Sequence, residues 1–109
     1  MATNQEAFEE AKQFIPGGVN SPVRAFRAVG GTPLFFASGF GCKVTDIEGH
    51  EYIDYVGSWG PHILGHAHEK IVNAITRAAR ASTSFGAPTV SETALAKAIT
   101  EDYPNCERV

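Results

Sequence analysis

The sequence has no run of like charge, no closely spaced pair of cysteines, and no apolar stretch near the roughly 18 residues that a membrane-spanning helix requires. Each absence removes a class of function. Nine Lys and Arg against twelve Asp and Glu leave a net charge of −3. Nothing there can track a phosphate backbone or an anionic bilayer, so nucleic acid and membrane surfaces are poor partners. Cys42 and Cys106 are the only cysteines in 109 residues. They are too sparse for a disulfide framework and read as reduced thiols in a cytoplasmic chain. The first ten residues lack the basic-then-apolar order of a secretory leader. Also missing are a GxxxxGK[ST] phosphate loop, a GxSxG elbow, an HExxH metal motif and a GxGxxG turn.

What remains is ordinary globular composition, 43% hydrophobic and 19% charged, in one domain's worth of chain. Eleven glycines and six prolines dilute the core, and a chain of this size buries only about two thirds of its unfolded surface. Self-sufficiency as a folding unit is therefore in question.

Thr3 and Glu6 fit a capping box, and Ala7, Phe8, Ala11, Phe14 and Ile15 follow at helical spacing until Pro16-Gly17-Gly18 stops the pattern. Gly17 to Pro33 fits neither helical nor strand period and reads as an irregular, tethered segment. Leu34 to Phe36, Cys42 to Ile47 and Glu51 to Val56 are short β-branched and aromatic runs, parted by Ser38-Gly39 and Glu48-Gly49; they predict an antiparallel meander. Gly57 to His68 is expected to be a buried connection. Ile71, Val72, Ile75, Ala78 and Ala79 predict a helix over Glu69 to Ala81, and Thr89 with Glu92 caps another that closes at Tyr103-Pro104. The fold class is α+β: an N-terminal helix, a three-stranded antiparallel sheet and two further helices.

Few residues suggest chemistry by type and spacing. His62, His66 and His68 could surround a metal ion, or could bond backbone carbonyls and cap the next helix; no thiol or carboxylate adjoins them, and no metal is expected. Glu51 and Asp54 point to opposite faces of a strand. Asp46, Glu48 and Gly49 read as turn chemistry. Lys12, Lys43, Lys70 and Lys97 all fall at exposed positions, where nothing desolvates an amine into a nucleophile. The stronger group is Asn20 to Phe26, in which Ser21 and Arg24 lie three residues apart on a backbone stiffened by Pro22. A guanidinium fork with a hydroxyl beside it can clamp a small acid, although an arginine there can equally make a surface ion pair. Trp59 sits between glycines, either packed in a core or presenting its indole to a ligand.

The stretches IPGGVNSPVRAF (Ile15 to Phe26), VGGTP (Val29 to Pro33), YIDYVGSWGP (Tyr52 to Pro61), LGHAH (Leu64 to His68) and SFGAPT (Ser84 to Thr89) resemble, in that order, the N-terminal part of the glutamate-1-semialdehyde aminomutase family. The G-x-x-Y-I-D and G-H-x-H portion is shared more widely with class III pyridoxal-phosphate aminotransferases. Glu69 and Glu48 depart from the family pattern, which commonly has proline and aspartate there; both are tolerable at a helix start and in a turn.

The resemblance implies a fold-type I scaffold working as a cytoplasmic homodimer. It implies a pyridoxal 5'-phosphate/pyridoxamine 5'-phosphate enzyme of tetrapyrrole (porphyrin) biosynthesis that isomerises glutamate 1-semialdehyde to 5-aminolevulinate. It places Ser21, Arg24 and Trp59 at the substrate pocket. The family's Schiff-base lysine and cofactor-binding residues have no counterpart here, so the resemblance implies roughly the first quarter of such an enzyme. Residues 1–88 would be the N-terminal segment of the small domain and 89–109 the start of the large, cofactor-binding domain. This chain alone is expected neither to hold the cofactor nor to turn over substrate. The alternatives are another class III aminotransferase, or a carboxylate-binding or dimerisation module without catalysis.

Overall fold

The computed structural model describes residues 2–109. Helix α1 (Asn4–Phe14) begins with the expected capping box: the Thr3 hydroxyl accepts the Glu6 N–H, and the Glu6 carboxylate accepts the Thr3 N–H. Two single turns of 3₁₀ helix follow, Pro16–Gly18 and Pro22–Ala25, each opened by a proline whose fixed φ suits a first helical position. Gly18 has φ 74°, and a Cβ there would stand 2.6 Å from the Phe8 ring, so only glycine lets this turn fold back onto α1.

The sheet is an antiparallel meander of β1 (Phe36–Phe40), β2 (Lys43–Asp46) and β3 (Glu51–Ile53) in the order β1-β2-β3. The α+β class and its element order are as expected, but β1 lies further along the chain than its aromatic run suggested. Ser38 and Gly39, expected in a turn, pair with Thr45 and Val44 inside the strand. Gly39 serves there because a Cβ would come within 2.7 Å of the His66 ring, which occupies that space. A further antiparallel bridge joins Gly41 to His66.

Helices α2 (Glu69–Ala81) and α3 (Val90–Asp102) match the periodic segments, and α3 carries the second capping box on Thr89 and Glu92. The backbone forms two compact units, one reaching Val72 and the other Asn73–Val109. In the first, Ala25, Pro33 and Val44 are buried apolar residues, while buried Asn4 and Asp46 tie α1 to the sheet. The second unit has no buried residue. No helix among the described residues is long and apolar enough to cross a membrane.

Candidate functional site

Sheet, 3₁₀ turns and the Gly57–Gly65 loop of the first unit border an open cavity of about 700 Å³. Phe36, Val44 and Tyr52 supply its strand wall, Leu34 an apolar corner, and Arg24, Ser58 and Trp59 its loop side. An apolar cleft holding a few polar groups is the usual form of a small-molecule site.

Arg24 is the single Lys or Arg in that lining. It sits in the second 3₁₀ turn, whose hydrogen bond runs from the Arg24 N–H to the Ser21 carbonyl at 3.0 Å. The side chain is exposed and makes no ion pair among the described residues. A guanidinium with open donors at the edge of a largely apolar cleft is suited to a carboxylate. Ser21 is half-buried, its hydroxyl caps nothing, and it is not part of the lining; the structure joins it to Arg24 through the backbone alone. Arg24 also borders a second hollow of about 480 Å³, bounded by Ile15, Val19, Phe26 and Leu34.

Trp59 is 74% exposed at the cavity edge, so it is not a core residue here. The connection expected to be buried is largely open, with Ile63 at 89% exposed. Its backbone is unusual: Gly57, Ser58, Trp59 and Gly60 have φ of 56°, 54°, 64° and 113° in succession. Serine and tryptophan pay roughly 1–2 kcal/mol each for a left-handed conformation. The surrounding contacts must supply that energy.

Two acidic residues with no assigned chemistry in the sequence hold the site together. Asp54 Oδ2 accepts from His66 Nε2 at 2.6 Å, while Oδ1 accepts the Val56 and Gly57 N–H groups at 2.8 and 3.0 Å. The His66 hydrogen bond, with help from the Gly57 and Val56 amides, holds the Asp54 carboxyl below the usual carboxylate range. Both residues line the cavity. Asp46 is fully buried at the end of β2 and accepts from Asn4 Nδ2, the Tyr52 hydroxyl, His50 Nδ1 and the Glu48 and His50 N–H groups. Burial pushes its pKa up, but those donors outweigh burial and bring it down to about 2. Turn signals at Glu48-Gly49 marked the bend; nothing in the local pattern marked the partner Asn4, 42 residues away.

The three histidines take other roles in the structure. Among the described residues no group of three His, Cys, Asp or Glu could hold an ion. His66 goes to Asp54, and the His62 ring lies against it with centroids 4.4 Å apart. His68 starts α2 through its carbonyl, which accepts the Ile71 and Val72 N–H groups. Its ring Nδ1 is buried without a partner.

The chain belongs to the class III aminotransferases: the family model described as "Aminotransferase class-III" matches residues 26–109. Within that class, it is 58% identical over 107 residues to a protein of Nitrosomonas europaea named glutamate-1-semialdehyde 2,1-aminomutase, a match covering 98% of this chain and 25% of the relative. The chain thus spans about a quarter of that relative's length. Among solved structures, an omega-transaminase from Sphaerobacter thermophilus superposes with TM-score 0.87 at 32% identity, over 98% of this chain and 24% of that one. A structure described as a transaminase with PLP bound matches with TM-score 0.78 at 36% identity, over 93% of this chain and 24% of its own.

Pyridoxal phosphate, the cofactor of that last structure, is carried on an amine by Schiff-base formation. The residues of this chain do not fit that task. Lys12, Lys43, Lys70 and Lys97 are all exposed, and none lines the cavity. Among the described residues no lysine is placed in the cavity lining to carry the cofactor.

Proposed function

We propose that this chain forms the substrate-facing wall of an enzyme that converts glutamate 1-semialdehyde to 5-aminolevulinate in porphyrin biosynthesis, with Arg24 as the ligand of the substrate carboxylate. The observation that carries the reading is the largely apolar cavity whose lining Arg24 and Trp59 share, with Arg24 in no ion pair among the described residues. The identity to aminomutase relatives supports the substrate.

Pyridoxal/pyridoxamine phosphate supplies the amino-group exchange in this reading, and polypeptide beyond these residues holds it. The chain's own part is positional. A carboxylate fixed by the Arg24 fork leaves the other end of a five-carbon substrate to pivot, so that two adjacent carbons can be presented in turn to one reacting group. Trp59 provides a flat apolar face against the substrate's methylenes. Ser21 is assigned to the same carboxylate on the family resemblance, since its side chain lies outside the cavity lining. Within the complete enzyme we assign residues 1–88 to the N-terminal segment of the small domain and 89–109 to the start of the large, cofactor-binding domain, in a cytoplasmic homodimer.

The omega-transaminase likeness favours a second reading, the same scaffold acting on an amine without a carboxylate at this end. A hybrid in which this chain replaces the matching quarter of the Nitrosomonas europaea relative separates the two. Arg24→Ala should lower kcat/KM for glutamate 1-semialdehyde at least about a hundredfold while changing turnover of an uncharged amine little. Equal losses on both substrates would favour the transaminase reading.

A further inference from the structure

The strained Gly57–Gly60 turn that carries Trp59 needs a device to hold it, and the structure contains one. The loop between β3 and α2 is fastened at both ends. At its start, Asp54 Oδ1 takes the Val56 and Gly57 N–H groups, fixing the entry into the left-handed turn. At its end, His66 is pinned to the sheet by two backbone hydrogen bonds with Gly41, of 3.0 and 2.8 Å. The 2.6 Å bond from His66 Nε2 to Asp54 Oδ2 then joins one end to the other. Both side chains are largely withdrawn from solvent, His66 at 19% and Asp54 at 13% exposed, whereas the loop between them is open. Two glycines make room for this fastening. A Cβ at Gly39 would collide with the His66 ring, and one at Gly65 would stand 2.5 Å from the Gly41 carbonyl oxygen.

We propose that Asp54 and His66 form a buckle that holds the left-handed Gly57–Gly60 turn closed, and that they are positioning residues which set Trp59 against the cavity. Neither need touch the substrate. Asp54 acts through two amides at the root of the turn, and His66 acts by orienting Asp54. Charge assistance makes this bond stronger than a neutral one, and its low exposure protects it from competing water. The inference deepens the substrate-site reading and rests on it for its kinetic consequence, but the mechanical part stands on the loop geometry alone.

The hybrid enzyme tests both parts. His66→Ala should raise KM for glutamate 1-semialdehyde roughly tenfold with a smaller change in kcat. His66→Gln, whose amide can donate to the same carboxylate oxygen, should recover most of the loss. In a Trp59→Ala background, His66→Ala should add nothing, because the residue through which it acts is gone; independent additive effects would overturn the proposal. Amide exchange over residues 55–60 should be several-fold faster in His66→Ala and restored in His66→Gln, and unchanged exchange would overturn the buckle whatever the kinetics. Should His66→Ala fail to fold, Asp54→Asn, which keeps an oxygen for the two amides, takes its place in the cycle with a smaller effect of the same direction. If Trp59→Ala alone leaves KM unchanged, the substrate-site reading fails, and the exchange result still decides the buckle.

Discussion

Asp46 and Arg24 show how differently two charged side chains can be used. Asp46 is buried and holds five donors from α1, β3 and its own turn, whereas Arg24 is exposed with its donors open. Only the first is a fold determinant. Its carboxyl titrates at about 2 in the folded chain, against about 3.9 for a free aspartate. A folded value below the unfolded one stabilises the protein above the unfolded value, and this contribution is lost as pH falls through the folded one. Urea midpoints should therefore drop between about pH 4 and pH 2, and Asp46→Asn should be less stable at pH 6 yet show a flatter slope across that window. An unaltered slope would mean that Asp46 is not the group responsible. Position 46 read as a plain turn aspartate because its defining partners, Asn4 and Tyr52, are contributed by other elements. The turn that carries Arg24 was legible for the opposite reason: its proline-stiffened backbone is local. Ser21 shared that local setting, yet its side chain does not join Arg24 in the cavity lining.

Helices were readable wherever a short-range rule was sufficient. Both capping boxes involve residues three apart, and both form as the spacing requires. Thr89→Ala should accordingly cost about 1 kcal/mol of α3 stability, seen as lower helicity at 222 nm on warming. Strand limits were less readable. Gly39 looks like a turn former, but its lack of a side chain is what admits the His66 ring from 27 residues away in sequence. Gly39→Ala should destabilise the first unit by roughly 1–3 kcal/mol through overpacking, and should also loosen the Gly57–Gly60 turn by displacing His66. A midpoint within error of the unsubstituted chain would show that the ring can move aside freely. The Gly57–His68 connection was expected to be buried because it is apolar, yet apolar residues are not confined to interiors, and here the segment is largely open.

All thirteen residues of α2 are exposed, and Ile63, Tyr55 and Val90 stand 89%, 90% and 88% open. So much uncovered apolar surface suits a chain that spans a quarter of its relative's length, since surfaces of this kind normally meet a partner. By itself the chain should self-associate at micromolar concentration and bind a hydrophobic dye; a clean monomer in sedimentation with a sharp cooperative melt would contradict this. Fused to the rest of such an enzyme, the same chain should become a well-behaved part of it. The central claim is then the grip of Arg24 on a carboxylate. A thermodynamic cycle tests it most directly, combining Arg24→Ala in the hybrid enzyme with a substrate-like inhibitor whose carboxylate is replaced by an amide. If the two groups meet, either change should weaken inhibition about a hundredfold and the second should add little to the first. Losses that multiply as though independent would show that Arg24 binds something else.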